Sequence, residues 1–403
     1  MHIDAIDHVE FYVGDARQAA YYLCTAFGFR IRGQAGPETG LADQRSLQLR
    51  HGGVDLLLTS GLGPDHPATE YVARHGDGIA KIAFRVADAA RTLTEATRRG
   101  GTVVSEPSRF EAGDAAVTIA EVAGVGDLAH PLIEREGPGT GFLPGVMEML
   151  PADGDPHGDT GGEPHGGTDG DPDGETGGEP DGGLFRELDH VAVCLPAGTL
   201  HEAVHFYGQV FDFPEIFSEY VEVGRQAMAS KVVQSRSANA TFTLIEPDTN
   251  REPGQIDAFL RAHRGAGVQH LAFRTDDIAA AVRTLTDRGV RFLETPPAYY
   301  DRLDARLGTT DLDSELLRRH NILADRDHSG ELFQIFSKSM HVRGTFFTEV
   351  IERRGARTFG SSNIKALYEA VERAASDSPR PGEDDEPDQP GQGPEAAEVV
   401  ARA

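Results

Sequence analysis

Basic residues are scarce in this 403-residue chain. Lys and Arg number 38 against 65 Asp and Glu, for a formal net charge of −27. Nucleic acid is thereby excluded as a partner, since phosphate binding needs a positive footprint. Cysteine is nearly absent: only Cys24 and Cys194 occur, both in apolar stretches. That rules out a secreted disulfide scaffold and fits incidental buried thiols in a reduced, cytoplasmic protein. No run approaches the roughly 18 apolar residues of a membrane span. The opening MHIDAIDHVEFYV has neither the basic nor the apolar region of a secretory signal.

The acidic excess is uneven. Residues 151–183 hold ten acids, twelve glycines and no Lys or Arg, and residues 376–403 hold eight acids against two Arg. These two stretches carry sixteen of the 27 net negative charges. Neither has the apolar surface to offset its ordering entropy, so a flexible linker and a disordered tail are expected. The acids of the linker lack the fixed ligand order of an EF-hand loop. The organisation this predicts is one domain over 1–150, a linker over 151–183, a second domain over 184–375 and a tail over 376–403.

What is present is a repeat. IDHVEFYV near residue 6 matches LDHVAVCL near residue 188, and the segment from Gly76 to about residue 107 matches that from Gly265 almost without gaps. Each half reads as an alternating strand, an amphipathic helix (Arg17–Phe27; Leu200–Phe211), further strands, a second helix (Asp88–Gly100; Asp277–Gly289) and closing strands. Apolar positions at three-to-four spacing ended by glycine support the helices, and period-two alternation supports the strands. The expected fold is therefore α+β, with two βαβββ modules in each tandem half curling into an open barrel.

The repeat also sorts the 16 histidines. His190 and His8 hold equivalent slots, but His270 stands where the first half has Lys81, and Glu349 where it has Pro131. The second half thus offers two imidazoles and a carboxylate on neighbouring strands, and the first half does not. That set occupies one face of a metal and leaves three positions open, the arrangement of non-haem Fe(II) centres that activate O₂. The bland alternatives are packed strand histidines and a Glu349 that merely pairs with Arg353.

GAGVQHLAF, TPPAYYDRL, LFQIF, FFTEVIER and FGSSNIKALYEAVE resemble the 4-hydroxyphenylpyruvate dioxygenase and 4-hydroxymandelate synthase group, within the vicinal-oxygen-chelate fold. The likeness spans most of both halves and is densest from Leu188 to Glu372. It implies Fe(II) as cofactor, 4-hydroxyphenylpyruvate and O₂ as small-molecule partners, and a homodimer. It also implies a C-terminal helix that closes the pocket, started at Ser361, Ser362 or Asn363, with Ile364, Leu367 and Tyr368 facing inward. His190, His270 and Glu349 match the family's iron ligands, spaced by 80 and then 79 residues. By the same resemblance Ser230, Thr243, Gln255, Gln269, Gln334, Phe336, Phe347, Asn363 and Ile364 line the substrate pocket. Thr348, usually aromatic in the family, should point away from the metal by strand alternation.

Three positions depart from the dioxygenase pattern: Ile364 replaces a Phe, and Thr243 and Ile245 replace a Pro and an Asn. Together with TLIEP and FGSSNIKALYEAVE they look like the mandelate-forming branch, so Ile364, Thr243 and Ile245 are expected to set the product. The expected reaction is oxidative decarboxylation with benzylic hydroxylation, giving 4-hydroxymandelate for hydroxyphenylglycine in peptide antibiotics. The alternatives are homogentisate formation and a non-catalytic ligand-sequestering module. An isomerase would draw ligands from both halves, and an extradiol dioxygenase would need extra acid–base histidines that His263 and His320 do not suggest.

Overall fold

A computed structural model describes residues 1–137, 141–150, 183–308, 310–360 and 362–366. The expected linker, apart from Gly183, and the expected tail lie outside these residues, as do Ser361, Leu367 and Tyr368. Among the described residues no helix is long and apolar enough to cross a membrane.

The first half runs β1 (Ala5–Tyr12), α1 (Ala16–Phe27), β2 (Arg30–Ala35), β3 (Gln44–His51), β4 (Val54–Gly61), α2 (Pro67–His75), β5 (Gly78–Arg85), α3 (Ala89–Arg98), β6 (Val103–Ala112), β7 (Ala115–Ala123), β8 (Ala129–Glu136) and β9 (Glu148–Met149). The second repeats the plan with β10 (Glu187–Cys194), α4 (Leu200–Phe211), β11 (Glu215–Val223), β12 (Gln226–Gln234), β13 (Thr241–Pro247), α5 (Gln255–His263), β14 (Gly267–Arg274) and α6 (Ile278–Asp287). Three short helices follow, α7 (Pro297–Tyr300), α8 (Leu303–Leu307) and α9 (Ser314–Arg319), then β15 (Leu323–Arg326), β16 (Glu331–Phe336) and β17 (Phe347–Arg354). The four βαβββ modules expected from the repeat are present. The sheets run β6-β7-β8-β5-β1-β4-β3-β2-β9 and β11-β12-β13-β10-β14-β17-β16-β15.

Local chemistry sets the helix ends. Asp15 accepts hydrogen bonds from the amides of Arg17 and Gln18 at the start of α1, and Gly28 ends it in the left-handed region at φ 75°. Asp88 and Asp277 cap α3 and α6 the same way, each cap being worth ~1 kcal/mol. The observed helices begin and end within two residues of the predicted ones.

A continuous core joins the halves. His130 of β8 stacks on Phe84 at 4.7 Å and meets the Tyr207 hydroxyl at 3.1 Å. Phe211 and Phe242 pack edge-on around that imidazole. Burial outweighs the hydrogen bond to the Ile82 carbonyl and pushes the His130 pKa down to about 4.

Candidate metal centre

Three adjacent strands place the predicted ligands. β10 pairs antiparallel with β14, opposing His190 to Ala272 and Ala192 to His270. β17 runs parallel to β14 with Ala272 opposite Glu349. Register shifts on either side of His190–Ala192 are bulges, which re-aim side chains locally. The donor atoms of His190, His270 and Glu349 converge within 4.8 Å of one another, and no other such group occurs among the described residues. All three are buried.

The second layer settles which atoms face inward. Asp189 takes the Nδ1–H of His190 at 2.8 Å, and Gln269 Oε1 lies 3.3 Å from Nδ1 of His270. Both Nε2 atoms are left facing Glu349 Oε2, at 3.4 and 3.5 Å. Gln334 Nε2 donates to Glu349 Oε1 at 2.7 Å, leaving Oε2 for the imidazoles. Imidazoles tied at one nitrogen and open at the other, beside an oriented carboxylate, are the donor set of a metal centre. Glu349 does not pair with Arg353, which instead forks onto Asp189 at 2.7 and 2.8 Å.

Electrostatics are asymmetric here. Burial opposes ionisation of Asp189, but Arg353 and His190 outweigh it and hold its carboxyl well below the ordinary range. Burial likewise opposes charge on His190, yet Glu349 and Asp189 prevail and raise its pKa to about 9. Burial and the His190 charge push His270 well below its ordinary value. The two imidazoles are thus pushed in opposite directions, and a divalent ion held here would take the place of a proton on His190 Nε2.

A cavity opens beside these donors. His190, His270 and Glu349 line it with Ser230, Thr243, Ile245, Gln255, Gln269, Gln334, Phe336 and Ile364 of the predicted set. Thr243 Oγ1 is buried and has no hydrogen-bond partner among the described residues, so a guest or water must satisfy it. Phe347 and Asn363 stand one step back. Phe347 stacks on the His270 ring at 4.8 Å, while Asn363 donates to Gln334 Oε1 at 2.8 Å and receives the Tyr299 hydroxyl at 2.9 Å. Gln255 is the first residue of α5. Thr348 turns away as predicted and bonds Ser337 at 2.9 Å.

The helical turn at 362–366 is held at its start by Asp325, which accepts from the Ser362 amide at 3.1 Å. That carboxylate comes from β15, across space, where the sequence pointed only to local capping side chains. Met228, Ile256 and Phe359 also line the cavity and were not foreseen. The first two sit in ordinary apolar patterns that read as core, and Phe359 follows the strands in an irregular segment.

A family model described as the Glyoxalase/Bleomycin resistance protein/Dioxygenase superfamily matches residues 5–126 and 187–335. A 4-hydroxyphenylpyruvate dioxygenase of Caenorhabditis elegans is 32% identical over 91% of this chain and 91% of that protein. One from Xenopus tropicalis is 33% identical over 91% and 90%. Among solved structures, a triple mutant of 4-hydroxymandelate synthase from Streptomyces coelicolor superimposes with a TM-score of 0.79 at 44% identity, covering 93% of this chain and 100% of that one. Sequence, fold and site together make the chain a member of the Glyoxalase/Bleomycin resistance protein/Dioxygenase superfamily and, within it, of the 4-hydroxyphenylpyruvate dioxygenase family.

Proposed function

We propose that the protein converts 4-hydroxyphenylpyruvate and O₂ to 4-hydroxymandelate and CO₂, using Fe(II) held by His190, His270 and Glu349. The observation that carries the product choice is convergence. Thr243, Ile245 and Ile364, the three departures from the dioxygenase pattern, line one cavity, and Ile364 packs on the cluster of Ile245, Met228 and Ile256. The 44% identity to the mandelate synthase structure against 31–33% to the dioxygenases of Coccidioides posadasii, Caenorhabditis elegans and Xenopus tropicalis favours the same branch.

When bound, iron would supply open positions for the oxo acid and for O₂, and electrons toward the reduction of O₂. The chain's part is orientation and exclusion of water. Asp189 fixes the His190 tautomer through its Nδ1–H, and Gln334 holds Glu349 by one oxygen. Phe336 and Phe359 wall the aromatic ring. Thr243, Ser230 and the three glutamines offer hydrogen bonds to its hydroxyl and carboxylate. Closure keeps bulk water from the reacting atoms. A ring held with its benzylic hydrogen, rather than its ring carbon, toward the metal yields the mandelate. The barrier difference needed is small, since ~1.4 kcal/mol is tenfold in product ratio.

The test is one turnover with Fe(II), O₂ and 4-hydroxyphenylpyruvate, followed by chromatographic separation, because 4-hydroxymandelate and homogentisate have the same mass. 4-Hydroxymandelate is expected as the main product, and homogentisate in its place would overturn the assignment. Ile364→Phe should move at least about a tenth of the product toward ring oxidation, which brings the two barriers to within ~1.4 kcal/mol of each other.

A further inference from the structure

The cavity at the metal centre has free space of only about 40 Å³, room for a water or two and not for an aryl oxo acid. Immediately outside it lies a cleft of about 890 Å³ between the two halves. Phe359 is the side chain that lines both spaces. One side of its environment is the site, where it meets His190 edge-on at 5.2 Å. The other is the cleft, where the Arg353 guanidinium sits 5.2 Å from its ring centre. Two left-handed glycines, Gly355 at φ 90° and Gly360 at φ 73°, bracket the segment that carries it.

The cleft is also rich in arginine, against the sign of the whole molecule. Arg85, Arg186, Arg274 and Arg353 line it paired with carboxylates. Arg357 is exposed on its wall with no ion pair among the described residues, and Arg50 has only a distant one, 3.9 Å from Asp55. A chain with a net charge of −27 repels a carboxylate at long range, and a local positive cleft reverses that field at the point of entry.

We propose that this cleft admits the anionic substrate, that Arg357 and Arg50 draw it in, and that Phe359 swings aside to pass it to the metal centre. The inference rests on the oxo-acid reading above. It is distinct from closure by the C-terminal helix, because the cleft is lined from β1, β10 and the segment after β17.

The test is anaerobic stopped-flow binding of 4-hydroxyphenylpyruvate to the Fe(II)-loaded full chain, with equilibrium affinity measured by calorimetry. Arg357→Glu should cut the association rate by roughly three- to tenfold at ~20 mM salt and leave dissociation unchanged; the difference should vanish near ~0.5 M salt. Phe359→Ala should raise the association rate and, because the ring also walls the bound substrate, raise dissociation further and weaken affinity; an unchanged or slower association rate in a folded variant would overturn its role as the gate. Two controls should change neither rate. Arg283→Glu alters a second basic groove, lined by Arg283, Arg291 and Lys338. Phe142→Ala removes a ring placed against His8 and Arg135 as Phe359 is against His190 and Arg353, where the described residues form no metal site. Unchanged association in Arg357→Glu overturns the route even if Phe359→Ala fails to fold, and equal loss in Arg283→Glu overturns it as a global charge effect. If the unaltered protein fails to take up the oxo acid at all, the substrate reading falls first and the route with it.

Discussion

The two barrels keep the same frame and fill it oppositely. In the second, Asp189 bonds His190 and receives the fork of Arg353, whose guanidinium also lies over Phe359. In the first, Asp7 bonds His8 at 2.9 Å and receives Arg135 at 2.6 and 2.9 Å, and Arg135 lies over Phe142. The inner residues diverge. Where His270 faces Ala192, the first barrel opposes Lys81 to Glu10. Where Phe336 opposes Glu349, it has Glu121 opposite Pro131. Lys81 Nζ lies 3.7 Å from Glu10 and 3.3 Å from Glu121, so a tethered ammonium occupies a place homologous to one imidazole ligand. Burial disfavours that charge, but the flanking carboxylates outweigh it and drive the Lys81 pKa upward. The comparison teaches that Asp–His–Arg belongs to the barrel, and that the metal site is made by what is added to it.

The comparison can be broken most forcefully at Glu349. Glu349→Ala should weaken iron binding beyond the roughly 100-fold that loss of an outer-shell partner costs, with activity falling alongside; iron titration reads it. Lys81→Met in the other barrel should instead cost about 3–5 kcal/mol of stability in denaturant unfolding, because Glu10 and Glu121 are left facing one another, while iron binding per folded chain stays intact. Acid sharpens the view of the junction. Burial holds His130 and His263 neutral, each with its pKa pushed down to about 4, His75 adding to the effect on His263. The unfolded chain takes up these protons first, so stability is complete above about pH 6.5 and declines toward pH 4, by an order of 3 kcal/mol per residue. His130→Gln should reduce the pH slope of unfolding over that window by one proton. The smallest contrast is between matched aspartates. Asp189→Asn should weaken iron roughly 10- to 100-fold, and Asp7→Asn should leave iron affinity unchanged.

Much of this was legible because the repeat supplies its own control. His270 and Glu349 stood out against Lys81 and Pro131 in the repeat, while His190 matched His8 and only the family resemblance completed the set; the module order followed from alternation. The residues that escaped did so for physical reasons. α2 and α5 each bury only two apolar side chains and a histidine, Ala68, Tyr71 and His75 in one and Ile256, Phe259 and His263 in the other, so their periodic pattern is weak. Phe347 was read as cavity wall from the family resemblance, yet it lies stacked on His270. The chain from Glu349 through Gln334 and Asn363 to Tyr299 joins side chains up to 64 residues apart, and no local pattern encodes such a path.

An anaerobic titration of the full chain with Fe(II), read by competition with a chromogenic chelator, tests the division between the barrels most directly. One equivalent should bind per chain, persisting in Lys81→Met and lost in His270→Ala. Two equivalents, or one that survives in His270→Ala, would contradict the account.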